Sequence, residues 1–212
     1  MFESKNKYFG RKKGKSFARL EQFQKYLVSP SKDFFKQIEK PRVLEIGIGD
    51  GEKISADAKL HSKINYIGCD IFADAFFVLS VTLRKIHLDL VVFHLNIQTS
   101  YLLFQLNILM YSVFFPDPWP KTKHKRRRTF NSELVQTLSS KLKKNGYIHF
   151  ATDHGDYFLD ALVLLQDQGY RMDNISPNSW KYNEFNALDT KFEKKALDKN
   201  HKLFYFSVLK NY

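Results

Sequence analysis

Apolar residues fall into short runs separated by segments of helical spacing. Residues 42–46, ended by glycines, form an apolar run that reads as a buried strand. Residues 52–60 can form a helix, and 64–70 read as a second strand. Phe76, Phe77, Leu79, Leu83 and Ile86 recur at helical spacing across 73–87. A third strand follows at 90–95 and a short helix at 98–106. Residues 108–115 are apolar throughout, so the fourth strand is central. A helix is predicted over 131–144, with Asn131 as its cap and Asn145-Gly146 as its stop. Strand 147–152, a helix over 155–168 closed by Gly169, and strand 170–175 come next. Residues 176–189 read as loop and 203–209 as the last strand. This alternation predicts an α/β fold: an open, mostly parallel sheet with helices on both faces. Ligands of such sheets bind at the carboxyl ends of the strands, so chemistry is expected just after each one.

Charge sharpens this picture. The 212 residues carry 34 Lys+Arg against 22 Asp+Glu, a net charge of +12. Residues 1–20 hold +6 of it and residues 121–128 the other +6, which leaves the remaining 184 neutral. Two basic patches on a neutral body point to a polyanion, most simply a nucleic acid. The expected organisation is a basic segment over 1–20 followed by a single domain over 21–212. Hydrophobic content of 43% excludes a disordered chain. The absence of an apolar run of about 18 residues excludes a membrane-spanning helix. The start lacks an apolar leader region, so the expected compartment is the cytoplasm. Cys69 is the sole cysteine, which excludes an internal disulfide and argues against a cysteine-based metal site; no metal is expected.

The strand ends carry the candidate chemistry. After the first strand comes Glu45-Ile-Gly47-Ile-Gly49-Asp-Gly51, three of nine glycines within five residues. Its spacing departs from the dinucleotide pattern G-x-G-x-x-G, and no phosphate-loop lysine pattern follows. The form E-x-G-x-G-x-G is similar to the first motif of S-adenosylmethionine methyltransferases, where a carboxylate suits the cationic end of the cofactor. Asp70 ends the second strand 19 residues after Gly51, where an acid can accept from a ribose diol. Asn96 and Gln98, after the third strand, can each receive an adenine amino group. After the fourth strand comes Pro116-Asp117-Pro118-Trp119-Pro120, followed by Lys121, Lys123, His124, Lys125, Arg126, Arg127 and Arg128. Three prolines in five residues stiffen this loop and bar it from helix and ladder alike, displaying one acid and one indole.

These residues closely resemble the bacterial tRNA (guanine-N7-)-methyltransferases, whose signature P-D-P-W-x-K-x-R-H-x-K-R-R is present here with Lys123 in place of the usual Arg. Ala151-Thr152-Asp153 and Thr190-Lys191-Phe192-Glu193 match further, so the resemblance covers roughly residues 40–210. It implies a Rossmann-like class I methyltransferase fold, a seven-stranded and mostly parallel sheet whose last strand is antiparallel. It implies S-adenosylmethionine as cofactor, held by Glu45, Gly47, Gly49, Gly51, Asp70, Asn96 and Asp117. Asp117 would be catalytic; Lys121, Asp153, Thr190, Lys191, Phe192 and Glu193 would contact substrate. Lys123, His124, Arg126, Arg127 and Arg128 would bind RNA phosphates. The family usually has Glu at the ribose position and Asp at the adenine position; Asn96 fits the family spacing better than Gln98. The implied reaction is methylation of a tRNA guanine at N7, guanine 46 of the variable loop. The implied partner is tRNA, with no obligatory protein partner, the enzyme acting as a monomer or homodimer. Two other readings remain: a methyltransferase for another RNA base, and an RNA-binding protein of the same fold with a vestigial cofactor site.

Overall fold

The computed structural model describes residues 41–49, 51–61, 63–70, 90–94, 108–176 and 190–210. The expected helices over 73–87 and 98–106, the loop over 176–189 apart from its first residue, and the segment 1–20 lie outside the described residues, as do Asn96 and Gln98. Seven strands form one sheet: β1 Arg42–Ile46, β2 Asn65–Asp70, β3 Leu90–His94, β4 Ile108–Phe114, β5 Leu142–Thr152, β6 Arg171–Ser176 and β7 Phe204–Leu209. Their order is β3-β2-β1-β4-β5-β7-β6. The β1, β2, β3, β4 and β5 pairings are parallel, and β7 runs antiparallel to both β5 and β6. This is the expected α/β sheet with its antiparallel last strand. The strand order reverses between β1 and β4, so their carboxyl ends flank the expected ligand crevice.

Four helices are described: α1 Glu52–Leu60, α2 Ser132–Lys141, α3 Gly155–Asp167 and α4 Lys191–Leu197. A 3-10 helix also covers Thr122–Arg127. α1 starts at the residue expected from the glycine turn, and α3 ends two residues before Gly169, whose φ is +76°. α2 begins as expected, with the Asn131 side chain accepting from Leu134 N–H at 3.0 Å. It ends at Lys141 rather than 144, because Leu142 already pairs with Ile108 of β4. Lys210 Nζ caps this end, donating to the carbonyls of Ser139 (2.6 Å) and Leu142 (2.9 Å). The 3-10 helix and α4 have no counterpart among the predicted elements, since both are short and highly charged and carry little hydrophobic period.

The larger core lies on the sheet face carrying Leu44, Ile67, Val113, Ile148, Phe150 and Phe206, against α2 and α3. Phe150 and Phe206 stack with centroids 5.1 Å apart. On the opposite face α1 packs through Ile54 and Ala58 onto Val43, Tyr66 and Met110. Gly68 permits that approach: a Cβ there would lie 2.9 Å from Ile48 Cγ2 and 3.3 Å from Ile54 Cδ1. Gly68→Ala is therefore expected to cost about 1–3 kcal/mol through overpacking. That amounts to a Tm loss of about 2–4 °C per kcal/mol, readable by calorimetry; an unchanged Tm would show that α1 is free to shift.

Candidate active site

The glycine turn after β1 is built from three left-handed residues: Gly47 at φ +81°, Gly49 at +56° and Gly51 at +75°. Side chains rarely adopt this region, which accounts for the glycine spacing. Gly47 N–H donates to the Cys69 carbonyl at 2.8 Å, and Gly49 N–H to Asp70 Oδ2 at 2.8 Å. Asp70 thus secures the turn as well as ending β2. Above Gly47 the space is open: among the described residues, and apart from its chain neighbours, no atom lies within 4 Å of the position a Cβ would take. Glu45 stands at the base of this cradle, 6% exposed. Burial pushes its carboxyl pKa up to about 8; Lys53 opposes the rise, while Asp57 and Asp70 reinforce it. Lys53 pairs with Asp57 one helical turn away and lies 5.3 Å from the Phe114 ring centroid. A nearly buried carboxylate under an open, backbone-lined cradle fits the cationic amino-acid end of S-adenosylmethionine.

The proline loop leaves β4 with Phe115 N–H bonded to the Ala151 carbonyl at 2.7 Å. Phe115 (φ +47°) and Trp119 (φ +41°) are both left-handed, bracketing Asp117. Such a conformation costs on the order of 1–3 kcal/mol per residue and persists only where its surroundings enforce it. Asp117 is exposed at this bend. The register Phe114↔Ala151 puts the ends of β4 and β5 side by side, so Asp153 follows the neighbouring strand. Asp153 Oδ2 lies 2.8 Å from His201 Nδ1, a partner that no sequence motif marked.

Thr190 is the N-cap of α4: its hydroxyl accepts from Glu193 N–H at 3.0 Å. Glu193 in turn accepts from the buried Tyr205 hydroxyl at 2.5 Å. Their T-x-x-E spacing therefore has a local structural role, that of a helix cap, beside the substrate contact expected of it. Lys191 is exposed, and so is the Phe192 ring, which reaches to 3.8 Å from where a Gly49 Cβ would stand. The Thr190–Glu193 motif is thereby brought to the glycine turn.

The basic run divides by the three-residue period of its 3-10 helix. Lys123 and Arg126 face solvent, as does Lys121. His124 and Arg127 turn toward Trp119, with the His124 ring edge-on at 5.9 Å and the Arg127 guanidinium 5.0 Å from the ring. Partial burial and then the charges of Arg127, Lys123, Lys121 and Arg126 push the His124 pKa below its usual value. Lys125 and Arg128 face α3. Lys125 bonds Asp156 at 2.9 Å and Asp160 at 3.3 Å. Arg128 is 4% exposed and bonds Asp156 at 3.0 Å, Asp160, and the Pro118 carbonyl at 2.9 Å. This corrects the expectation that Arg128 binds phosphate: its guanidinium is enclosed and its donors are turned into the protein. The i,i+4 acids of α3 were the unread signal.

The chain matches the model of a family described as putative methyltransferases over residues 39–206. It is 34% identical to the tRNA (guanine-N(7)-)-methyltransferase of Thiobacillus denitrificans over 164 residues, covering 76% of this chain and 71% of that protein. It is 31% identical to a bifunctional methyltransferase of Rickettsia prowazekii over 213 residues, 92% of this chain but only 39% of that longer protein. Among solved structures, the 16S rRNA methyltransferase KamB aligns with a TM-score of 0.65 at 12% identity, over 86% of this chain and 94% of that one, a likeness of fold. With the family model spanning most of its length, and relatives of that name 30–34% identical and covered to about 70%, the chain belongs to the tRNA (guanine-N(7)-)-methyltransferase family.

Proposed function

We infer that this chain is an S-adenosylmethionine-dependent methyltransferase acting on N7 of a guanine in tRNA. The observation that carries the reading is the carboxyl end of one sheet, where β1 and β4 lie side by side. It holds a buried carboxylate under an open glycine cradle and, one strand away, a rigid acid-bearing loop that runs directly into a basic helix. Guanine 46 of the variable loop is the proposed nucleotide. The enzyme works in the cytoplasm as a monomer or homodimer, without an obligatory protein partner.

Bound in the cradle, S-adenosylmethionine supplies an electrophilic methyl group on a sulfonium. Glu45 takes its ammonium end and Asp70 its ribose hydroxyls, with Gly47, Gly49 and Gly51 allowing close approach. Asn96 receives the adenine amino group. Guanine N7 carries an in-plane lone pair and no proton, so no general base is required. Catalysis is positioning and electrostatics. As N7 gains the methyl group the purine becomes cationic, and the Asp117 carboxylate, with Asp153 just past the end of the adjacent strand, stabilises that charge and holds the N1/N2 edge. Lys121 and the Thr190–Glu193 segment complete the substrate contacts. Incubation of unmodified tRNA with labelled cofactor, followed by mapping of the modified nucleotide, tests the assignment. Methylation at an exocyclic nitrogen, or none with the cofactor bound, would overturn it.

Phosphate binding falls to the cations that face outward. Replacing Lys123 and Arg126 together with alanine is expected to weaken tRNA binding. It should also flatten the plot of log affinity against log salt by about 1.5, at ~0.7–0.9 per phosphate contact. Lys125→Ala, whose charge is already spent on Asp156 and Asp160, should leave that slope unchanged. Equal slopes for both variants would refute this division of the basic run.

A further inference from the structure

We propose that Arg128, gripped by Asp156 and Asp160 of α3, is a positioning residue that sets Asp117 against the substrate. Arg128 lies eleven residues beyond Asp117 yet its Nε donates to the carbonyl of Pro118, the very next residue, at 2.9 Å. The rest of the fork is fixed by α3: Nη2 donates to Asp156 at 3.0 Å, Nη1 donates to Asp160, and the guanidinium sits 4.5 Å from the Tyr157 ring centroid. The backbone is held too. Asn131 Nδ2 donates to the Arg128 carbonyl at 3.0 Å, and the buried Tyr157 hydroxyl accepts from Phe130 N–H at 2.8 Å. Hydrogen bonds from Lys125 and Arg128 hold the Asp156 carboxyl below its usual range.

The loop has a use for this grip. Asp117 is exposed, and Trp119, the residue after Pro118, is in the left-handed region at φ +41°. Prolines fix the loop's own φ angles, but a side chain from outside must hold the carbonyl that precedes Trp119. Planarity and five donors in a fixed fork let one guanidinium bridge a carbonyl and two carboxylates at set angles, whereas an ammonium is a point charge without that fixed geometry. The basic run thus has two jobs: its outer cations meet RNA, and its inner pair locks the loop to α3.

This inference rests on Asp117 being the catalytic carboxylate, and the test separates the two. The variants are Arg128→Lys, Asp156→Asn with Asp160→Asn, and Asp117→Asn, all assayed by single-turnover methylation of unmodified tRNA, cofactor calorimetry and salt dependence of tRNA binding. Arg128→Lys keeps charge and the double Asn variant keeps shape. Both are expected to lose about 10- to 100-fold in methylation rate, as misplacement of a reacting group does. Cofactor affinity should stay within about twofold of the parent, and Arg128→Lys should keep the salt slope. Asp117→Asn retaining full rate would remove the premise. A slow Asp117→Asn beside fast Arg128→Lys and double Asn variants would overturn the positioning role alone. So would a double variant that changes only tRNA affinity and salt slope, or loss of cofactor binding in step with rate, which marks a merely structural residue.

Discussion

Asp117→Asn protein is expected to bind S-adenosylmethionine within a few-fold of the parent while methylating tRNA about 100- to 1000-fold more slowly. Asparagine preserves the side chain's size and can still occupy the bend between the prolines. What it loses is the negative charge aimed at a purine that becomes cationic as the methyl arrives. That charge has little role in folding: Asp117 is exposed, and the loop is held by Phe115 N–H on Ala151 and by Arg128 on Pro118. The loss should therefore appear in the chemical step rather than in Tm. Rapid-quench single turnovers, with cofactor affinity measured in parallel, separate the two quantities. Full methylation by the variant would mean that Asp153 or the backbone carries the electrostatic work.

The parts of the site that a sequence displays are those whose reason is local. Gly47, Gly49 and Gly51 are legible because a left-handed turn admits few other residues. Asn131 is legible as a cap because its side chain bonds three residues ahead, and Thr190, read only as a substrate contact, makes the same bond in the structure. Strand β4 was readable because a strand covered on both faces is apolar at nearly every position, and β1 because its short apolar stretch runs straight into the glycine turn. The end of α2 was misplaced by three residues because it is set by a long-range event, the pairing of Leu142 with Ile108. The basic run was misread at Arg128 for the same kind of reason. Six cations in eight residues look alike along a chain. Only the acids at 156 and 160, on a helix that docks there, separate the inner pair from the outer ones. His201 beside Asp153 is likewise a contact across 48 residues with no local signature.

Glu45→Gln should trade function for stability, and its pH dependence gives the sign. The unfolded chain holds a glutamate near its ordinary pKa of about 4.3, whereas burial raises the folded value to about 8. Between these limits the folded, cofactor-free protein binds the extra proton, so stability is fullest below about pH 4 and declines as pH rises through 8. Glutamine is neutral throughout and escapes that decline. The variant should therefore match the parent near pH 4 and exceed it at pH 8.5 by a few kcal/mol, at ~1.4 kcal/mol per unit of pKa difference. Cofactor binding runs the other way. A sulfonium amino acid offers its ammonium to the ionised carboxylate, so parental affinity should climb between pH 6.5 and 8, as each binding event no longer has to expel the Glu45 proton. Glu45→Gln should show a flat profile and an affinity about 10- to 100-fold weaker at pH 8.5, the loss of one charge-assisted contact. Calorimetric titration and thermal unfolding across that range read both effects on one pair of proteins. A variant that is less stable than the parent at pH 8.5, with parental affinity flat across the range, would place Glu45 as a permanently ionised structural partner of Lys53 and remove it from the cofactor site.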